Sequence, residues 1–198
     1  MSTDLEICNI ALSMIGASSI AALTEESTEA RWCNTNYQPL RDTLLSEHGW
    51  QFAENQLVLS GPSASPWGDG YLYAIPADAV HIYRVYEDVS GDYKDQAKWR
   101  RLGKNILADI DGTLYAIGVL NSTTEDDFPP AFVQALAARL AVEMTVPLTR
   151  STKMLELQIT LYNEKLSTAL ATDGSEARSE RTRVTHLSGA RYGQGPLS

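Results

Sequence analysis

The apolar residues of this chain change period twice, from helical to strand-like and back to helical, and that change confines the fold more than any other feature. Leu5, Cys8, Leu12 and Ile15 recur at three- and four-residue spacing, and Ile7, Ile10, Ala11 and Met14 widen the stripe until Gly16. The spacing predicts a first helix buried on more than one side. A second helix begins near Ser27 and carries Ala30, Cys33, Tyr37, Leu40 and Leu44 toward His48 and Gly49. Pro39 lies inside it and lacks a backbone donor, which predicts a kink or two abutting helices.

From Trp50 the alternation becomes that of strands. Residues 80–86 are β-branched and aromatic, Leu102-Gly103-Lys104-Asn105 reads as a tight turn, and Asp111-Gly112 separates two further apolar runs. The expectation is an antiparallel meander. Residues 60–70 are rich in Gly, Pro and Ser and are expected to be a loop outside regular structure. An exposed Trp67 there marks a candidate contact surface, although a tryptophan folded back on its own sheet is the commoner case.

Helical spacing returns after Asp126-Asp127, with Pro129 and Pro130 suited to a first turn and Phe132, Leu136, Leu140 and Met144 as its stripe. A last helix starts near Ser151, turns Leu155, Ile159, Tyr162, Leu166 and Leu170 inward, and is expected to stop at Asp173-Gly174. The class predicted is α+β. Residues 1–49 and 129–173 form an antiparallel helical bundle, residues 50–128 an inserted antiparallel β-domain, and residues 174–198 an extended C-terminal arm. Leu12, Cys33, Leu44, Leu136, Leu140, Ile159 and Leu166 are the expected bundle core.

The net charge of −9 is the wrong sign for gripping phosphate backbones. Sequence-specific nucleic-acid binding is not expected. The amino terminus lacks a basic n-region and an apolar h-region, and no unbroken apolar run reaches about eighteen residues, so a cytosolic origin and no membrane partner are expected. Cys8 and Cys33 fall on apolar stripes and read as core residues.

His48, His81 and His186 show no metal-ligand spacing, and the chain has no phosphate-cradling glycine loop and no nucleophile elbow. No cofactor is expected. Glu25-Glu26 and Glu125-Asp126-Asp127 are paired carboxylates of the kind a hydrolase of peptidoglycan or capsule glycan needs. Beside helix starts, such acids are far more often dipole partners and solvated surface. Glu29, Arg31, Arg41 and Asp42 read as ion-pair partners between helices or subunits. In the arm, Arg178, Arg181, Arg183 and Arg191 are carboxylate-seeking forks, and Leu187 and Tyr192 are apolar anchors for a partner.

The order Ile7-Cys8-Asn9-Ile10-Ala11-Leu12, Ile15-Gly16, Glu29-Ala30-Arg31, Cys33, Tyr37, Arg41-Asp42, Leu44-Leu45 and residues 48–53 resembles the amino-terminal half of the phage tail tubular protein A family. Residues 71–78 and the strand ending near Tyr86 are similar to that family's entry into its β-domain. The resemblance implies a structural virion protein and not an enzyme: a head-to-tail adaptor of a short-tailed bacteriophage. Such a subunit is made in the host cytoplasm and placed at the head-tail junction in a ring of about twelve copies, closed by a heterologous interface. Its partners are the portal above and a nozzle similar to tail tubular protein B below, with genomic DNA passing through unbound. A channel of that kind implies acidic or neutral residues facing inward and basic ones kept for protein contacts. The virion-associated glycan hydrolase remains the alternative.

Overall fold

A computed structural model describes residues 3–88, 96–121 and 124–181, with side chains through residue 175. Helix α1 (Asp4–Met14) opens on a capping box, in which the Glu6 amide donates to Thr3 Oγ1 (3.2 Å) and the Thr3 amide to Glu6 Oε2 (3.0 Å). It closes where Gly16 takes φ 70° and the Ala17 amide reaches back to the Leu12 carbonyl (3.0 Å). The following turn is held by Asn9. Its side chain accepts from the Ile20 amide (2.8 Å) and donates to the Ile20 carbonyl (3.0 Å), as a neighbouring strand would.

Helix α2 (Thr28–Glu47) is capped by Ser27 and runs unbroken through Pro39. The alternative of two abutting helices is therefore corrected: one missing donor is outweighed by the intact bonds on either side and by burial of Ala30, Cys33, Tyr37, Leu44 and Leu45. Helix α3 (Pro130–Thr149) is the centre of the bundle and packs against α1, α2 and α4. It is long and apolar enough to cross a membrane, yet 56% of its apolar window is packed inside the protein.

Helix α4 (Thr152–Arg181) corrects two expectations. It passes straight through Gly174 to Arg181, so residues 174–181 are helical and not part of an extended arm. A mid-helix glycine costs only about 1 kcal/mol relative to alanine, and the residues after it, rich in Glu, Ala and Arg, favour helix. Its inward line is also rotated. Gln158, Tyr162 and Ala169 are buried and Leu155, Leu166 and Leu170 half-buried, while Ile159 is 43% exposed. The remaining expected core residues, Leu12, Cys33, Leu44, Leu136 and Leu140, are fully buried.

The strands form two antiparallel sheets and not one meander. The first orders β1 (Asn55–Leu59), β7 (Leu114–Leu120) and β4 (Ala79–Tyr86) side by side; the second orders β2 (Ser63–Ala64), β3 (Tyr71–Ala74), β6 (Asn105–Ala108) and β5 (Trp99–Leu102). Gly103, at φ 62°, makes the expected tight turn between β5 and β6. Asp111-Gly112 instead carries the chain from one sheet to the other. Local sequence encodes a strand but not its partner, which is why the meander failed. Strand β2 also shows that residues 60–70 are not wholly irregular, since Ser63 and Ala64 pair with Leu72 and Tyr71.

The sheets face each other across a second core of Leu59, Tyr73, Ile82, Val85, Ile106, Ala108, Leu114 and Ala116. The three-stranded sheet is buried on its other face as well, where Val80, Tyr83 and Val119 join the core of the bundle. Two β-bulges make this possible. The register of β4 on β7 skips Val80 and Tyr83, and the bulges turn these two side chains onto the helices. Gly118 lies opposite, where a Cβ would stand 2.3 Å from the His81 carbonyl oxygen, so the irregular strand can approach.

Candidate interaction surface

Trp67 stands at the tip of the β2–β3 hairpin and is 73% exposed, more than any other large apolar side chain among the described residues. Its turn is built to hold it there. The Ser65 amide donates to the Gly70 carbonyl (2.8 Å), the Gly68 amide to the Ser65 carbonyl (3.0 Å), and the Trp67 amide to Ser65 Oγ (3.4 Å). Ser65 Oγ donates in turn to Asp69, whose carboxyl it holds below the usual range, and Asp69 Oδ2 pairs with Arg100 Nη2 at 2.7 Å. Gly70, at φ 126°, lies so close to β6 that a Cβ would stand 2.6 Å from the Ala108 carbonyl oxygen. The tryptophan is presented by a fixed frame.

Beside this turn an open groove of ≈ 300 Å³ runs past Lys98, Trp99, Arg100, Leu107 and Asp109. It borders β5, an edge strand whose exposed Lys98, Arg100 and Arg101, with Lys104 in the next turn, are four cations in seven positions without an acid. Sequence reasoning missed this stretch. Its signal was present, because four cations in seven positions with no acid among them are unusual in a chain of net charge −9.

The other ionisable groups hold elements together. Tyr37 Oη donates to Glu125 Oε1 (3.2 Å), while Arg41 pairs with Asp42 (2.9 Å) and Glu125 (3.3 Å) and donates to Asn121 Oδ1 (2.8 Å). Burial and then the Glu125 carboxylate push the Tyr37 phenol well up; burial pulls the Arg41 guanidinium down, but Asp42 and Glu125 more than offset it. This network ties α2 to the turn that leads from β7 into α3. Its acid, Glu125, belongs to one of the carboxylate clusters singled out for hydrolysis. In the other, Glu25 accepts from the Ala21 amide (3.0 Å).

Arg84 pairs with Glu54, and Asp173 accepts from the Gln51 amide (2.9 Å), which anchors α4 to the chain entering the sheets. Cys8 and Cys33 lie fully buried, and Cys8 is held protonated by its hydrogen bond to Cys33 and by burial. Among the described residues no group of three His, Cys, Asp or Glu side chains could hold a metal ion. His48 caps the end of α2, and His81 lies in β4, where burial and then Arg101 lower its pKa. No protein-family model matches the chain, and no curated protein matches its sequence.

Of the arm residues, Arg178 and Arg181 lie in the last turns of α4. Arg183, Leu187, Arg191 and Tyr192 lie outside the described residues, as does His186.

Tyr83 offers a direct test of how the sheet is fastened to the bundle. Its hydroxyl reaches the carbonyls of Leu45 (2.6 Å) and His48 at the end of α2, and burial, then Glu54, push its pKa up to about 12 from the ordinary 10.0. A raised folded-state pKa means that this stabilisation is complete below pH 10 and is lost as the pH rises through 12. Tyr83→Phe is expected to lower stability at neutral pH by about 1–3 kcal/mol, because the carbonyls lose their donor. It should also flatten the alkaline decline. Urea unfolding across the alkaline range checks both, and a variant with the wild-type slope refutes the assignment.

Proposed function

We propose that this chain is a structural ring subunit, a head-to-tail adaptor that joins the portal of a short-tailed bacteriophage to its tail nozzle and lines part of the DNA ejection channel. One observation carries the reading. The residues that resemble the tail tubular protein A family fall at joints of the fold: Asn9 clamps the α1–α2 turn, Tyr37 and Arg41 tie α2 to the head of α3, and Trp50 fills the seam between bundle and sheets. Residues that form joints specify a shape, and a shape is what an assembly component supplies. The framed Trp67 supports the same reading as an anchor on the nozzle side, since rigid aromatic side chains lose little entropy on docking.

The carboxy-terminal segment carries the portal contact in this reading. Between Ala169 and Ser175 the helix turns Ala171, Thr172, Gly174 and Ser175 to solvent. The arginines at 178, 181, 183 and 191 add oriented contacts to acidic portal residues, and Leu187 and Tyr192 supply the buried anchors.

The purified chain mixed with portal and nozzle proteins is expected to form a ring, visible by electron microscopy as cyclic particles of about twelve subunits between the two. Ending the chain after Asp173 should leave thermal unfolding nearly unchanged while abolishing portal binding. If the shortened chain binds with full affinity, the docking surface lies on the helices. If the full chain releases reducing ends from peptidoglycan or capsule, and a single Asp or Glu variant does not, the hydrolytic reading replaces this one.

A further inference from the structure

We infer that the basic edge strand β5 is one half of the contact between copies of this chain, and that it docks on the carboxylates at the start of α3 in the neighbouring copy. The inference rests on the ring reading and adds to it the two faces that meet.

Lys98, Arg100, Arg101 and Lys104 are exposed along one edge of the four-stranded sheet, where β5 pairs with β6 alone among the described strands. Arg100 is already engaged by Asp69. Lys98, Arg101 and Lys104 have no acidic partner among the described residues, and Arg101 bends only to the Gly103 carbonyl (3.2 Å). A strand edge presents unpaired amides and carbonyls to any sheet it meets, and like charges along it repel a second identical edge. The edge is therefore barred from the symmetric contact that would close a two-fold dimer. It is free to meet an acidic surface of a different kind, and a contact between unlike faces is what closes a ring.

The rest of the chain supplies such a surface. With four cations concentrated in the hairpin, the remainder is more acidic than the net charge of −9 conveys. At the junction of sheets and bundle, Glu125, Asp126 and Asp127 follow one another, Asp42 lies beside them through Arg41, and Asp126 and Asp127 are exposed. A second acidic stretch, Glu25-Glu26, sits in the loop between α1 and α2. The junction acids lie in the chain between β7 and α3. Nucleic acid is the less favoured occupant of β5, because Asp69 and Asp109 line the same groove and the chain as a whole repels phosphate.

Sedimentation velocity on the full chain tests the pairing. Wild-type protein should self-associate at low salt and dissociate at roughly 1 M NaCl, where the screening length falls to about 3 Å. The triple variant K98E/R101E/K104E, which spares the Arg100–Asp69 pair, should associate at least about tenfold more weakly. D126K leaves the Thr124–Asp127 cap in place, should weaken self-association alone, and should associate with the triple variant better than either does with itself. Circular dichroism establishes that both variants fold. A triple variant that associates as tightly as wild type, or a wild type that stays monomeric at low salt, overturns the inference. Wild-type binding to a DNA duplex that the triple variant loses, with self-association unchanged, assigns the edge to nucleic acid instead. Rings formed on the portal by the triple variant would leave the adaptor reading standing while this contact falls; failure of the wild type to form them counts against both.

Discussion

Trp50→Ala is expected to lower the free energy of unfolding by about 3–5 kcal/mol, the range for a fully buried aromatic side chain truncated to alanine. Trp50 is 1% exposed at the point where the chain leaves α2 for the sheets. Its indole nitrogen donates to the Leu44 carbonyl (2.9 Å), which the helix end would otherwise leave unpaired. Its ring meets Phe132 edge-on at 5.0 Å and Phe52 at 5.9 Å, which joins α3 and the entrance to β1 in one cluster. Alanine keeps none of these contacts. Neighbouring Phe52, Phe128 and Phe132 already pack on one another, so the space is poorly placed to collapse. Trp32, Trp67 and Trp99 remain as fluorescent reporters in urea titration. A loss below about 1 kcal/mol, the ordinary size for a substitution without such a role, would remove Trp50 from the seam.

Leu140→Ala is expected to cost about 2–5 kcal/mol. Leu140 is fully buried in the middle of α3, the helix every other helix packs against, and its inward neighbours Leu136, Ala137, Ala141 and Met144 are equally buried. The small alanines around it set a close helix spacing, so a missing isobutyl group is not readily filled. Ile159→Ala in α4 provides the contrast. With 43% of its surface exposed, it should lose far less, and thermal unfolding of the two variants side by side separates a core position from a shoulder. Equal losses would put the inward face of α4 back on Ile159.

The comparison of Leu140 with Ile159 also shows what could be read from sequence. Helix α3 has a broad apolar surface, and any reasonable phase places Leu140 inside. Helix α4 carries apolar residues on both shoulders, Leu157 and Leu161 on one and Ile159 on the other, with a buried Gln158 between them. Gln158 faces inward because its amide donates to the Met14 carbonyl (2.8 Å) at the end of α1, a tertiary bond that no periodicity announces. Gly174 misled for a related reason: glycine stops a helix only where a left-handed residue caps it, and here the helix simply continues.

Strands were legible one at a time and their partners were not. Residues 80–86 read as a strand, but the bulges at Val80 and Tyr83 depend on what lies on each face of the sheet. The surface features divide in the same way. Trp67 stood out because a large apolar residue in a Gly/Pro loop is conspicuous on its own. The importance of Lys98, Arg101 and Lys104 emerges only when β5 is found at an edge, since the same run in an inner strand would have its backbone paired on both sides.

The three-stranded sheet carries core on both faces, one shared with the bundle and the other with the second sheet, and only its β1 edge leaves Gln56 and Val58 in solvent. Bundle and sandwich therefore share a wall instead of a tether. A push at the Trp67 hairpin passes from the four-stranded sheet through the core between the sheets, and then reaches the helices through the bulged side chains and the Tyr83 hydroxyl. The molecule transmits load as a strut does, and neither half can turn without breaking the core of the other.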